Sequence, residues 1–133
     1  MQFDSANGLT PKVALNTAAI ATSTTTNGVI IDTQGYEALT FVLNVGARTD
    51  GTFTPAITHG DDPALADGAT PDASDLVGTA AAAAISTAQT MKKLGYVGAK
   101  RYVRLGVVST AVTSGATVGA TAILSRPAIG PAA

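Results

Sequence analysis

The feature that most constrains this chain is a series of short segments in which apolar and polar residues alternate. The clearest covers residues 36–45, and its two faces are Leu39, Phe41, Leu43, Val45 and Ala38, Thr40, Val42, Asn44. Alternation with period two, built from β-branched and aromatic residues, predicts a strand that buries one face. Similar patterns cover residues 52–58, 101–109 and 116–124, and a β-branched run covers residues 29–31.

Turn signals separate these segments. The pair Asp50-Gly51 predicts a hairpin between two of the strands, and further turns are expected at residues 98–100 and 114–115. Pro55 interrupts the segment 52–58. Because proline cannot donate a hydrogen bond to a ladder, that segment is predicted to be an edge strand or to carry a bulge.

Helical signals are weak. The alanine-rich stretch within residues 79–90 is too short for an independent helix, so a single turn or an irregular connection is expected there. Residues 59–74 are polar, with two prolines and two glycines, and are predicted to form a loop. Six to eight strands without an amphipathic helix predict an all-β, single-domain β-sandwich or β-barrel.

The expected organisation has three parts. Residues 1–27, rich in Thr, Ala and Asn, are interpreted as an extended N-terminal arm with one or two short strands. Residues 28–127 are interpreted as the sandwich or barrel domain, and residues 128–133 as a C-terminal tail. A chain of 133 residues is long enough to bury a core of its own without metal or disulfide support.

Charge is sparse, and this limits the class of partner. The chain has 8 Lys+Arg and 9 Asp+Glu, a formal net charge of -1, and 13% charged residues, against about 25% in average soluble proteins. A weakly charged surface favours packing against another protein and gives no electrostatic support to nucleic-acid binding. The absence of cysteine excludes a disulfide framework, a thiolate metal site and a cysteine nucleophile.

No segment predicts secretion or membrane insertion. The N-terminus has no basic region followed by an apolar one. The longest low-charge stretch, residues 76–91, is too short and too polar to span a bilayer. The protein is therefore expected to be soluble, with no membrane partner.

The titratable residues predict no catalytic, cofactor-binding or metal site and no small-molecule substrate. His59 is the only histidine, and it is interpreted as a solvated loop residue. The acidic residues that follow do not have calcium-loop spacing; they are Asp61, Asp62, Asp67, Asp72 and Asp75. They are interpreted as a solvated acidic loop, with a weak cation site at a subunit contact as the alternative. Asp32 and Glu37 lie near strand ends with nothing that predicts a pocket, and no glycine-rich phosphate motif is present.

Five of the eight cations fall within thirteen residues, interleaved with two tyrosines. They are Lys92, Lys93, Lys100, Arg101 and Arg104, with Tyr96 and Tyr102. Three interpretations are open: the solvent face of two neighbouring strands, a contact for an acidic protein surface, or a nucleic-acid contact. The last is weakest because the chain as a whole is not basic.

Four blocks of the sequence resemble a family of small virion structural proteins of tailed bacteriophages. They are residues 35–43 (GYEALTFVL), 59–68 (HGDDPALADG), 93–105 (KLGYVGAKRYVRL) and 119–127 (GATAILSRP). Together they span most of residues 29–127 in the family's order. The resemblance implies a non-enzymatic virion protein, foremost a capsid decoration (cement) protein on the outer surface of the head, soluble in the host cytoplasm before assembly.

The partners implied by the resemblance are the major capsid protein and further copies of this chain, as a dimer or trimer. A head–tail connector, a tail-tube or tail-terminator subunit and a minor capsid protein are alternatives within the same class. A cell-surface glycan-binding module is a remoter one, disfavoured by the absence of Trp, and an enzyme is the weakest. The arm, residues 1–27, is hypothesised to be an assembly contact that adds a strand to a neighbouring chain.

Overall fold

The computed structural model describes residues 6–127, and the predicted tail 128–133 lies outside them. Eight strands carry the fold: β1 Leu9–Ile20, β2 Thr25–Asp32, β3 Tyr36–Arg48, β4 Thr52–Gly60, β5 Leu76–Val77, β6 Thr90–Tyr96, β7 Tyr102–Thr110 and β8 Ala116–Pro127. Two short 3₁₀ helices complete the described elements, Ala6–Gly8 and Ala73–Asp75.

The strands form two antiparallel sheets that enclose one core. One sheet has five strands in the order β1-β8-β3-β6-β5, and the other has three in the order β2-β7-β4. The all-β prediction is confirmed, and of the two architectures that the sequence left open, the structure is the sandwich.

The core contains the side chains that the alternation predicted to be buried. β3 contributes Leu39, Phe41, Leu43 and Val45; β4 contributes Phe53 and Ile57; β7 contributes Val103, Leu105 and Val107; β8 contributes Val118, Ala120, Ala122 and Leu124. Period two places each set on one side of its sheet, so the two inner faces meet. Ile85, from the irregular connection between β5 and β6, closes the core at one side.

Almost every connection crosses from one sheet to the other, which corrects the predicted hairpin at Asp50-Gly51. β3 pairs with β8 and β6, whereas β4 pairs with β7. The Asp50 carboxylate accepts hydrogen bonds from the backbone N–H groups of Thr113, Ser114 and Gly115, at 3.0, 3.1 and 2.8 Å from its Oδ1. The aspartate therefore ties two sheet-crossing corners together instead of closing a hairpin.

Residues 9–20 of the predicted arm form part of the sandwich. β1 pairs with β8 from Leu9 to Ile20 with two register shifts, and Ala14, Leu15 and Ile20 are buried. The irregular spacing of these three residues explains why the sequence showed only weak patterning there. A deletion of residues 1–15 would remove about half of β1, so it would disturb the sheet as well as any assembly contact made by the arm.

Two long edge strands, β4 and β1, are poorly suited to pairing with an added strand. Pro55 lies in β4, which is an edge strand as predicted. On either side of Pro55, the free edge of β4 is occupied by an isolated bridge, from Phe53 to Ile85 and from His59 to Ala69. On the opposite side, β1 carries Pro11 and two bulge-like shifts along its edge. Prolines, bulges and short bridges are the means by which natural sheets block edge-to-edge pairing.

Candidate functional site: the outer face of the five-stranded sheet

His59 lies in β4 and is half-buried, which corrects its interpretation as a solvated loop residue; the acidic loop after it is also held by contacts within the domain. His59 Nδ1 and the Tyr96 hydroxyl are 2.7 Å apart and share a hydrogen bond, with the two rings edge to face. Asp67 accepts hydrogen bonds from the backbone N–H groups of Asp61 and Asp62, and these lower the pKa of the Asp67 carboxyl. The described residues contain no group of three or more His, Cys, Asp or Glu side chains placed to hold a metal ion.

The cluster of five cations is divided between the two sheets. β6, with Lys92 and Lys93, lies in the five-stranded sheet, whereas β7, with Arg104, lies in the three-stranded one. The interpretation as one face of two neighbouring strands is therefore wrong. The Nζ of Lys92 donates to the backbone carbonyls of Ala82 and Ala84, and Lys100 forms an ion pair with Asp61 at 2.7 Å.

Arg101 and Asp32 form a two-pronged ion pair between neighbouring corners. The guanidinium Nε and Nη2 donate to Oδ1 and Oδ2 of Asp32, both at 2.8 Å. The hydrogen bonds from Arg101, with a smaller contribution from the Gln34 N–H, outweigh desolvation and lower the pKa of Asp32 from 3.8 to about 2. Neither side chain is buried, so the ion pair joins two corners at the surface of the domain.

The ion pair predicts a pH dependence of stability. Because the pKa of Asp32 is lower in the folded than in the unfolded state, its contribution is fully present above the unfolded value near 4 and is lost as the pH falls towards 2. We expect wild type to exceed Asp32→Asn in melting temperature by no more than about 3 °C at pH 6, since both groups are solvated. Thermal melts from pH 6 to pH 2 should show this gap closing; a constant gap would contradict the assignment.

A candidate contact surface lies on the other side of β3 from the core. We call it the outer face: the side chains of the five-stranded sheet that point away from the three-stranded one. Thr40 lies between Gly95 and Ile123, and Val42 lies between Lys93 and Thr121. Since directly paired residues of antiparallel strands share a face, all of these belong to one surface.

Exposed apolar side chains are concentrated on this outer face. Among the described residues, six large hydrophobic side chains are exposed: Leu9, Val13, Val29, Val77, Met91 and Val97. Five of them belong to the outer face. Leu9 and Val13 pair with Ser125 and Thr121 of β8, and Val77 pairs with Gly95 of β6. Met91 pairs with Asn44 of β3, and Val97 lies two residues after Gly95. Single exposed hydrophobics are ordinary, but a shared face of them marks a contact site.

The outer face is also nearly free of charge. Of the residues that the register places on it, Lys93 alone is charged, and Lys93 makes no ion pair within the described part of the chain. The strand spacing and rise give the face an area of about 500 Å².

One end of the outer face is hollowed into a groove of about 350 Å³. Its walls come from four strands and the residue after β6; they are Glu37, Ala38, Leu39, Thr40, Val77, Lys93, Gly95, Tyr96, Val97 and Arg126. Gly95 deepens the groove, because a Cβ at that position would lie 3.0 Å from the Cβ of Val77. This combination of an apolar floor and flanking charges can hold a side chain of a partner protein.

The sequence indicated only part of this surface. The alternation in β3 correctly separated Ala38, Thr40, Val42 and Asn44 from the core residues, and Lys93 was among the cations considered. Val77, Val97 and Arg126 were missed, because they reach the groove from three segments distant in sequence. The apolar residue at 77 directly before Gly78 carries no local signal for such a role.

Comparisons with known proteins give the fold. No protein-family model matches the chain, and no curated protein matches it. Among solved structures, the chain is similar to a protein described as the SPBc2 prophage-derived protein YomS, with a TM-score of 0.52 and 17% sequence identity over 89% of this chain and 93% of the other. At that identity the likeness concerns the fold alone. Within residues 6–127, no helix has the length and hydropathy needed to cross a bilayer.

Proposed function

We propose that this chain is a non-enzymatic structural protein of a tailed-phage virion, and specifically a decoration protein that binds the outside of the capsid. The observation that carries the proposal is the outer face, which holds five of the six large hydrophobic side chains exposed among the described residues, while Lys93 is the one charged residue that the strand register places on it. The four sequence blocks that resemble a phage virion family support it. The fold shared with a prophage-derived protein gives weaker support in the same direction.

The proposed partner of the outer face is the major capsid protein. A patch of about 500 Å² is smaller than one side of a typical stable interface, which buries about 800 Å² per partner. Such a contact becomes effective when many copies bind a repeating lattice and when copies of this chain associate around a local symmetry axis, because linked contacts reinforce one another. The interruptions along the edges of β1 and β4 favour the face over strand addition at those two edges as the mode of attachment.

The tyrosines do not favour the glycan-binding alternative. Tyr96 is buried, the Tyr36 hydroxyl is 2.7 Å from Thr10 Oγ1, and the Arg101 guanidinium covers the Tyr102 ring at 4.9 Å. A sugar ring stacks on an exposed aromatic face, and each of these rings is already engaged or covered.

Copy number tests the proposed role. Quantitative mass spectrometry of purified particles from the phage or prophage that encodes the chain would give its ratio to the major capsid protein. We expect a ratio near one, or a simple fraction of one. A count of about a dozen, the order expected for a ring at a single vertex, would assign the chain to the connector or tail. Absence from particles would overturn the virion proposal.

A further inference from the structure

We propose that the groove beside Val77 and Val97 holds a segment of the capsid protein that presents an aliphatic side chain next to a carboxylate. This inference rests on the proposed function. It specifies which end of the outer face binds the partner and which chemical groups the partner presents. It is carried by the shape of the groove, by its apolar walls, and by charged side chains that form no ion pair within residues 6–127.

The apolar residues of the groove favour an aliphatic side chain on the partner. The Val77 and Val97 side chains are 61% and 60% exposed, although both line a concave surface. Covering them would remove apolar area from water, which is the main favourable term in protein association. A volume of about 350 Å³ is at the small end of ligand pockets and fits one or two side chains rather than a folded element.

The charged residues of the groove favour a carboxylate on the partner. Lys93 and Arg126 both line it and form no ion pair within residues 6–127, while Glu37 is the single acidic residue among the lining side chains. Among the lining residues, the two cations therefore outnumber the single acid, although the chain carries a formal net charge of -1. A carboxylate on the partner would complement the two cations, and charge complementarity of this kind fixes register and partner choice.

The backbone at Arg126 adds a second observation. Arg126 is exposed, has a positive φ of 54° and lines the groove, although it follows the buried Leu124 by two residues. Positive φ is unfavourable for residues other than glycine; Leu65, Gln89 and Ala111 share it, and of these four residues Arg126 is the one that lines the groove.

A second copy of this chain fits the groove less well. A two-fold contact pairs the same patch of both copies, so the interface would hold two copies each of Lys93, Arg126 and Glu37, an excess of positive charge. Like charges opposed across an interface are unfavourable. The cationic groove therefore favours a different, acidic partner.

The test is binding to capsids assembled without this protein, measured by co-sedimentation of the purified full chain. Two groove variants are compared: Lys93→Glu/Arg126→Glu and Val77→Ala/Val97→Ala. Their matched controls, on the three-stranded sheet, are Arg104→Glu and Val29→Ala. We expect each groove variant to raise the Kd by about tenfold or more, and the controls to stay within about twofold of wild type. Circular dichroism and melting temperature verify that every variant is folded.

The outcomes separate the two proposals. If the wild-type chain does not bind the capsids, the decoration role itself fails. If wild type binds and both groove variants bind equally well, the decoration role stands and the groove assignment is overturned. If the groove variants instead change the oligomeric state of the free protein, by light scattering, while capsid binding is unaffected, the occupant is a second copy and the acidic partner is rejected.

Discussion

Replacing Gly28 with alanine is expected to destabilise the sandwich by about 3 kcal/mol, the upper range for overpacking by a single group. Gly28 lies in β2 at a register shift against β7, between Asn27 and Ile30. A Cβ there would lie 2.0 Å from the carbonyl oxygen of Ala14 and 2.5 Å from that of Leu105. Both atoms are backbone atoms of neighbouring strands, so no side-chain rotation relieves the clash.

Gly46→Ala is the matched control for Gly28→Ala. Gly46 is also a strand glycine with negative φ, but the nearest atom to its added Cβ would be the Thr117 carbonyl oxygen at 3.8 Å, an ordinary contact. We expect this variant to be neutral or slightly stabilised, since alanine lowers the entropy of the unfolded chain. Urea unfolding of both variants gives the comparison, and equal losses of stability would show that the close approach at Gly28 does not limit packing.

The contact at Gly28 also explains how the N-terminal segment becomes part of the domain. β1 is an edge of the five-stranded sheet and β2 is an edge of the three-stranded sheet. The absence of a side chain at residue 28 lets the two edges approach at Ala14, so one side of the sandwich is closed by backbone. Such a close approach needs glycine, and the glycine could be recognised from the sequence only as a turn residue before a β-branched run.

Strand positions could be predicted well because burial imposes a local period. Leu39, Phe41 and Leu43 are fixed on one face by the pleat alone, whichever strands lie beside β3. The same reasoning made Pro55 a marker of an edge strand, because the missing N–H excludes it from a central position.

Strand pairing could not be predicted in the same way. Asp50-Gly51 predicts that the chain reverses direction. The chain reverses in a hairpin, and it also reverses in a corner that crosses to the other sheet. The choice between them depends on partners distant in sequence: β3 lies between β8 and β6, while β4 pairs with β7. The three backbone N–H groups bound by Asp50 come from residues more than sixty positions later, so no local pattern reveals them.

The same limit applies to the candidate site. The cations of residues 92–104 appeared as one group along the chain, yet the crossing at residues 98–100 sends β6 and β7 to different sheets. Lys93 is separated from Arg104 and instead lines the same groove as Arg126. A surface assembled from β3, β5, β6 and β8 becomes visible only when the register of those strands is known.

Phe53→Ala is expected to remove about 3–5 kcal/mol from the free energy of unfolding, the usual loss for a fully buried phenylalanine. The Phe53 side chain is 0% exposed. Its backbone N–H donates to the Ile85 carbonyl at 2.9 Å and its carbonyl accepts from the Ile85 N–H at 2.8 Å. The residue thus fills the core and anchors the connection between β5 and β6. Since small domains are stable by only about 5–15 kcal/mol, the loss is a large share of the total.

Two measurements separate the two roles of Phe53. Urea unfolding gives the global loss, and Val29→Ala is the control, since Val29 is 45% exposed and its truncation should change stability by less than about 0.5 kcal/mol. Hydrogen exchange at the Ile85 amide reports the local contact. Because the bridge uses backbone atoms that alanine retains, exchange there should accelerate only as much as global stability falls. A larger acceleration would mean that the phenyl ring itself holds the connection against β4, and a stability loss no greater than that of Val29→Ala would contradict the place of Phe53 in the core.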